Sequence, residues 1–536
     1  DAKEGDKVIC SICSRGMRHS EHRAEVVATF GDAQTAVNCA EAVLTLNQIT
    51  MDFPEYVKSE AEYIDKRGIK KEDFEGRLDL RDEIIFTIDS ADTKDIDDAI
   101  SLKKENDTYH LSVHIADVSH YVTAKSKIDD EAFERGTSIY FADRVVPMLP
   151  KQLSNGICSL NPQEDRLAFS CIMTVSKEGK LLTHKFKKTI IRSTVKGVYK
   201  EINQILNHNE SEEIANKYKQ ERETLFLMKE LCDILSRNKK NRGAPDIETS
   251  ESYIILDENS KAVDVVARTR GESEVMIEEF MLMANEAAAT VAKANQIPFV
   301  YRVHEPPSEE KIERLHKALE MLGLPCKEVQ FGMPTKVLAN LITDAKDKPY
   351  FPVINMLVLR SMSKAKYHEV PVGHYGLCLE NYAQFTSPIR RYPDLTIHRI
   401  LTDMVGGMAN GKLKEKYTKF AADSARHSTE KELASMRLER DCDDCYKAEY
   451  IKTHIGENFN GIISGVAFHG IYVQLENTVE GLVRADTLPE DEFEFDEMFE
   501  FKNLKGGKSY RVGDSVKIKV IGADVSAGKI DFLFSE

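Results

Sequence analysis

The spacing of hydrophobic and polar positions divides the chain into three stretches. Residues 1 to about 56 are partly β. Lys7–Cys13 and Arg23–Phe30 alternate like strands, a Gly31-Asp32 turn follows, and Thr35–Ile49 carries a helical pattern. That is too little to close a barrel alone. A charged helical linker runs from Pro54 to about Gly76. The second stretch opens near Asp79-Leu-Arg-Asp82 with β-branched apolar runs at 84–89, 98–104 and 108–115. They read as a meander with a turn at Asn106-Asp107. A helix over 129–135, a rigid apolar loop Arg144–Pro150 and strands at 166–176 and 181–193 come next. Helical periods then dominate, at about 211–238, 273–295, 308–322, 349–363, after Pro393, and over a long charged run at 411–454. From Gly456 the period returns to two. Five short strands with Gly punctuation in about 80 residues suggest an OB-type barrel. The acidic, Phe-rich run Glu490–Glu500 is an inserted loop, and its charge keeps it off any phosphate-binding face.

Between the first two strands of the meander lies Thr87-Ile-Asp-Ser-Ala-Asp-Thr-Lys-Asp-Ile-Asp-Asp98. It holds Asp89, Asp92, Asp95, Asp97 and Asp98 on a loop whose flanks are buried strands. Like charges that close repel unless something cancels them. The usual agent for clustered oxygen ligands is a hard divalent cation, Mg²⁺ or Mn²⁺. The plainer alternative is a solvated acidic loop or a helix cap; the buried flanks and the absence of Pro and Gly count against it.

A second informative stretch is Tyr382-Ala-Gln-Phe-Thr-Ser-Pro-Ile-Arg-Arg-Tyr-Pro-Asp394. Ser387-Pro388 forces an extended turn and Pro393 starts a helix. Arg390 and Arg391 are thus presented from a rigid loop, where a guanidinium can bind phosphate bidentately. A structural pair with Asp394 is the alternative. Among the cysteines, Cys10 and Cys13 precede His19 and His22 in a loose zinc-like pattern. A strand there would turn the two thiols to opposite faces. Cys442 and Cys445 lie in a helical pattern without a second ligand pair.

Composition adds bounds. The chain has 536 residues, 42% hydrophobic and 30% charged, ordinary for a globular protein of two to four domains. A net charge of −16 argues against coating nucleic acid or membrane wholesale, but not against a locally basic channel. No apolar run is long enough to span a membrane. Ten cysteines in such a length make no disulfide scaffold and favour a reduced, cytoplasmic setting. The chain opens at Asp1 rather than Met, as a fragment or trimmed chain would.

Taken together, several stretches resemble one family. Thr87–Asp98, Asp79-Leu-Arg-Asp82, His114-Ile-Ala-Asp-Val-Ser119, Ile277-Glu-Glu-Phe-Met281 with Ala284-Asn285, Tyr301-Arg-Val-His-Glu305 and Phe385–Tyr392 occur in order. They resemble the ribonuclease II/ribonuclease R family of 3′-to-5′ exoribonucleases, over about 75 to 455. The resemblance implies an α+β fold: a catalytic RNB domain with a central mixed or antiparallel sheet surrounded by helices, flanked by OB-fold barrels. The divisions expected are a partial cold-shock-type module at 1–56, a linker at 57–77, the catalytic domain at 78–405 with a helical continuation at 406–455, and an S1-type barrel at 456–536. It also implies processive hydrolysis of single-stranded RNA to nucleoside 5′-monophosphates by a monomer. Two Mg²⁺ ions, with Mn²⁺ as substitute, would clamp the scissile phosphate, one generating hydroxide and the other steadying the leaving 3′ oxygen.

By position, Asp89, Asp95, Asp97 and Asp98 match the family's metal-site aspartates, with Asp97 and Asp98 catalytic; Asp92 matches none. Arg390 matches the catalytic arginine and Arg391 a phosphate contact. Tyr140 matches a tyrosine that orients the 3′-terminal nucleotide, although a core tyrosine is the alternative. Glu279 resembles a channel glutamate that contacts ribose hydroxyls, which would help tell RNA from DNA; a buried paired carboxylate is the alternative. Glu439 resembles a helix acid of the family, or an ordinary ion-pair partner. His114 and His304 read as structural. Lys185-Phe-Lys-Lys188 with Arg192 is a path for phosphates or a solvated strand face. Phe468, His469 and Tyr472 sit where this barrel type stacks bases, unless strand alternation buries one of them. Two departures from the family are a single incomplete cold-shock barrel and no Lys-rich tail, which removes RNA-gripping surface but leaves the chemistry.

Overall fold

The computed structural model describes residues 2–18, 21–248, 251–348, 350–488, 493–496 and 500–535. At its centre is a mixed sheet of five strands. Leu78–Asp79, Leu181–Arg192, Asp165–Ser176, Thr108–Ala116 and Asp98–Glu105 lie side by side in that order. Leu78–Asp79 runs parallel to its neighbour and the others are antiparallel. Alternation explains the inner face: Tyr109, Leu111, Val113 and Ile115 are all buried, as period two requires. The turn between Glu105 and Thr108 places Asn106 at φ 52°, a left-handed conformation that Asn tolerates.

Helices cover the sheet. Glu272–Ala294 packs against Arg222–Arg242 and against the strand Thr108–Ala116. Its buried face includes Ala284, Ala287, Ala288 and Ala292, and side chains that small let a helix approach closely. The helix Asn410–Lys452 has 43 residues, roughly 65 Å at the α-helical rise. It is the spine of the molecule, touching Tyr392–Val405, Ala36–Leu46 and the barrel strand Ser515–Asp524.

Several expectations shift in detail. The charged helical linker holds helix Glu55–Arg67, which buries Val57 and Ala61, one turn apart, in a core with Ile128, Leu153 and Tyr392. The helix expected over 211–238 is two, Glu212–Lys217 and Arg222–Arg242. Between them Tyr218 turns inward, its hydroxyl accepting the Val198 N–H. The helix expected from 349 runs over Phe351–Ser361, and Pro349 lies outside the described residues. At the N-terminal end, Asp6–Ser14 and Arg23–Asp32 form a two-stranded sheet. Cys10 and Cys13 are both exposed, because this end of the two-stranded ribbon leaves both faces uncovered from Cys10 to Ser14. His19 of the zinc-like pattern lies outside the described residues, and the His22 Nδ1 accepts the Gly16 N–H at 3.1 Å. Cys442 and Cys445 are buried.

The third stretch is a closed barrel of Asn458–Ala467, Gly470–Leu475, Glu480–Arg484, Ser515–Asp524 and Lys529–Phe534. Of the acidic insertion, Phe493–Asp496 and Glu500–Asn503 pair in a small separate sheet; the remainder lies outside the described residues.

Buried histidines couple this fold to pH. His114 bonds Ser101 and Ser170 within the sheet. His398 donates from Nε2 to the Phe385 carbonyl, and its buried Nδ1 has no partner. Burial pushes both imidazoles down to about 3, so both stay neutral in the fold. The unfolded chain takes up these protons below about pH 6.5 and the folded one does not. Stability is therefore full above that pH and falls on acidification towards 3. We expect a loss on the order of 2 kcal/mol per histidine by pH 5, measured by chemical denaturation, with a shallower acid slope in His398→Gln.

Candidate active site

The acidic loop is fixed from several sides. Strand Thr87–Asp89 pairs with Lys196–Val198, and the Lys196 ammonium donates to the Ala91 and Thr93 carbonyls. Ser159 donates to the Lys94 carbonyl and accepts the Ile96 N–H. The Asp97 carbonyl accepts the Ala116 N–H at 2.8 Å. Within the loop, Asp89 Oδ1 accepts from the Ser90 N–H and the Thr93 hydroxyl. Asp92 is exposed.

The arginine loop is built as firmly. The Phe385 ring stacks on His398 with centroids 4.4 Å apart, and its N–H donates to Asn285 Oδ1. Asp394 accepts the Ser387 N–H and both Nε and Nη2 of Arg391. Arg391 is thus engaged at the back of the loop, with its side chain mostly buried, in the structural pairing with Asp394. The Arg390 carbonyl accepts from the Ser138 N–H and the Thr137 hydroxyl, which leaves its guanidinium, 43% exposed, facing forward.

The two loops meet although some 290 residues separate them. The Ile389 N–H donates to Asp97 Oδ1 at 2.8 Å, and Arg390 Nε lies 3.8 Å from Asp97 Oδ2. Tyr140 joins them: its hydroxyl donates to Asp95 Oδ2 at 3.1 Å, and its N–H donates to Glu439. Tyr140 is partly exposed rather than a core residue.

Burial dominates the electrostatics. It pushes the Asp97 carboxyl well above the usual range, against the pull of Arg390. Burial and then Asp89 raise Asp98 to about 7. Burial raises Asp89, with Asp95 adding to it. Such a set is all-oxygen, mutually repulsive and short of positive charge, the chemistry a hard divalent cation satisfies. Among the described residues no three His, Cys, Asp or Glu side chains stand together as a closed ligand set.

Other candidates fall elsewhere. Glu279 is buried and paired with Lys239 at 3.1 Å. His304 bonds the Ser363 carbonyl and the Gly376 N–H, as a structural residue does. Lys188 is drawn inward to Asp117 beside Arg77, and Arg192 pairs with Asp165; Lys185 and Lys187 remain exposed. In the barrel, Phe468 and His469 are exposed and Tyr472 is half-buried. Their rings lie edge to face and His469 Nε2 is 2.9 Å from the Tyr472 hydroxyl. Ser159 and Lys196 brace the site yet have no signal in the sequence, because each acts on a loop far away in the chain; Asn285 stands out only within the family resemblance.

Comparisons with known proteins bear on both regions. The model of the RNB domain matches residues 77–407, and that of the S1 RNA binding domain matches 452–535. Ribonuclease R 1 of Lactococcus lactis is 42% identical over 91% of this chain; the match spans 60% of that relative. Ribonuclease R of Thermotoga maritima is 40% identical over 100% of this chain and 76% of its own length. Among solved structures, Mycoplasma genitalium RNase R in complex with ribose-methylated single-stranded RNA superposes with a TM-score of 0.89 at 29% identity. That match covers 99% of this chain and 83% of the other.

The buried Arg391–Asp394 pair should be the loop's mechanical support. Asp394→Ala leaves a buried guanidinium and the Ser387 N–H without partners. We expect it to destabilise the protein by about 3–5 kcal/mol, read from urea denaturation.

Proposed function

The chain belongs to the RNB family of ribonucleases, and from that premise we propose that it degrades single-stranded RNA from the 3′ end, processively, releasing nucleoside 5′-monophosphates. The observation that supports this most directly is the closure of Arg390 and the Ile389 N–H on Asp97. It sets a fixed cation beside buried carboxylates, the pairing that phosphoryl transfer uses.

Asp89, Asp95, Asp97 and Asp98 would hold the metal, two Mg²⁺ ions in the reading argued from sequence. Bound there, the ions would polarise the phosphate and make water nucleophilic near neutral pH. The chain's own residues do the rest. Arg390 faces the scissile phosphate and offsets the charge that grows on its oxygens as water adds to phosphorus and the bond to the 3′ oxygen breaks. The Ile389 N–H fixes one oxygen of Asp97, so the other keeps its aim. Tyr140, tied through its hydroxyl to Asp95, offers a ring against which the terminal base can stack. Arg391 acts from behind, holding the loop through Asp394. Glu279, if released by Lys239, would face ribose 2′-hydroxyls. Phe468, His469 and Tyr472 supply a stacking platform for RNA further upstream.

The test uses 5′-labelled single-stranded RNA with Mg²⁺. The proposal expects full-length strand to pass to a short product that keeps the 5′ label, with few intermediates between them, while nucleoside 5′-monophosphates accumulate. Asp97→Asn should bind RNA but cut at least about 10³-fold more slowly, and Arg390→Ala about 10²- to 10³-fold. Binding without shortening would instead make the chain an RNA-binding protein. Cleavage of dinucleotides with no shortening of long RNA would make it a small-nucleotide phosphodiesterase.

A further inference from the structure

Besides the long helix Asn410–Lys452, the barrel touches the catalytic region at the helix Phe351–Ser361. Val353, Met356 and Arg360 share one face of it by helical spacing. Val353 occupies the place a side chain on Gly513 would take: a Cβ there would lie 2.0 Å from it. Met356 packs against the cluster that contains the barrel core. Arg360 donates from Nη2 to the Ser464 carbonyl.

That carbonyl is special within the barrel. The register of strand Asn458–Ala467 slips between Ile463 and Gly465, leaving Ser464 without a partner in either neighbouring strand. A bulge of this kind frees a backbone group from the ladder, and a charged donor satisfies it strongly. Next to the bulge, Gly465 stands opposite Tyr472. A Cβ on Gly465 would lie 3.1 Å from Arg360 Nη2 and 3.8 Å from the Tyr472 ring. Arg360 therefore grips the strand that leads to Phe468, at the point facing Tyr472.

We propose that Arg360 is a positioning residue for RNA capture. By clasping the Ser464 bulge it fixes the Phe468–His469–Tyr472 platform relative to the catalytic loops, so that one RNA strand lies on both. Two sites held at a set separation raise each other's effective concentration, and a loosened clasp forfeits that gain only for RNA long enough to reach both. The inference rests on the exoribonuclease reading and on the platform's contact with RNA.

The experiment compares KM and kcat on a short and a long single-stranded RNA for Arg360→Ala, Arg360→Lys and Gly465→Ala in the full chain. We expect Arg360→Ala to raise KM for long RNA about five- to tenfold, a fraction of what stacked bases contribute, with kcat and the short substrate unchanged. Lys, which can still donate to Ser464, should restore most of the affinity. Gly465→Ala, which crowds the guanidinium without removing it, should reproduce the loss. In a Phe468→Ala/His469→Ala/Tyr472→Ala background, Arg360→Ala should add nothing. An additive loss there, with a shallower salt dependence of binding, would mean a direct phosphate contact and overturn the proposal. So would an unchanged KM, or an equal fall on short RNA. Hydrogen exchange at the amides of 462–472 checks the clasp without RNA. Protection should drop in Arg360→Ala, and unchanged protection contradicts the clasp even if the nuclease reading fails for other reasons.

Discussion

One hydrogen bond carries most of the architecture's meaning: the Ile389 N–H on the Asp97 carboxylate. It joins a loop of the central meander to a loop from the far half of the catalytic domain. A carboxylate that is only 4% exposed is costly to bury without partners. Here a backbone donor takes one oxygen and Arg390 stands 3.8 Å from the other. Neither loop could hold that geometry alone, so each is braced from behind. Ser159 and Lys196 fix the acidic loop; Asn285, His398 and the Arg391–Asp394 pair fix the arginine loop.

The bracing also explains why neighbouring arginines do different work. Arg391 is pulled inward by Asp394, and the extended turn at Ser387-Pro388 then turns Arg390 outward. A buried ion pair adds little net stability compared with apolar packing, but it fixes a loop's shape. In the proposed reaction, substrate charge would meet a guanidinium already in place, and preorganisation of that kind lowers barriers without reorganisation during reaction. The barrel shows the same bracing at larger scale, with the Ser464 bulge and the Phe468–His469–Tyr472 cluster gathered where its first two strands pair.

Much of this is legible in the sequence, and what escapes it does so for physical reasons. Strands Asp165–Ser176 and Leu181–Arg192 and the helix Asn410–Lys452 announce themselves through sustained period. The aspartate loop and Arg390 stand out because few other arrangements crowd carboxylates between buried strands or set arginines between two prolines. Helices Tyr199–Leu206 and Thr335–Ala345 and the hairpin Ser252–Ala267 go unannounced; they are short, so although both helices carry a clear apolar face, few turns repeat it. The roles of Arg391 and Glu279 turn on partners, Asp394 and Lys239. For Glu279 that partner comes near only on folding, and for Arg391 the sequence leaves the choice between phosphate and Asp394 open. A local motif does not reveal who shares its charge. Ser159 shows the limit: nothing near it in the chain points to Lys94.

The central claim is that Asp97 and Arg390 act as one unit on the scissile phosphate. The most direct test is a double-mutant cycle on single-turnover cleavage of single-stranded RNA, using Asp97→Asn, Arg390→Ala and the pair together. Strong non-additivity is expected, with the double variant barely slower than Asp97→Asn alone. Losses that simply multiply would show two independent sites and contradict it.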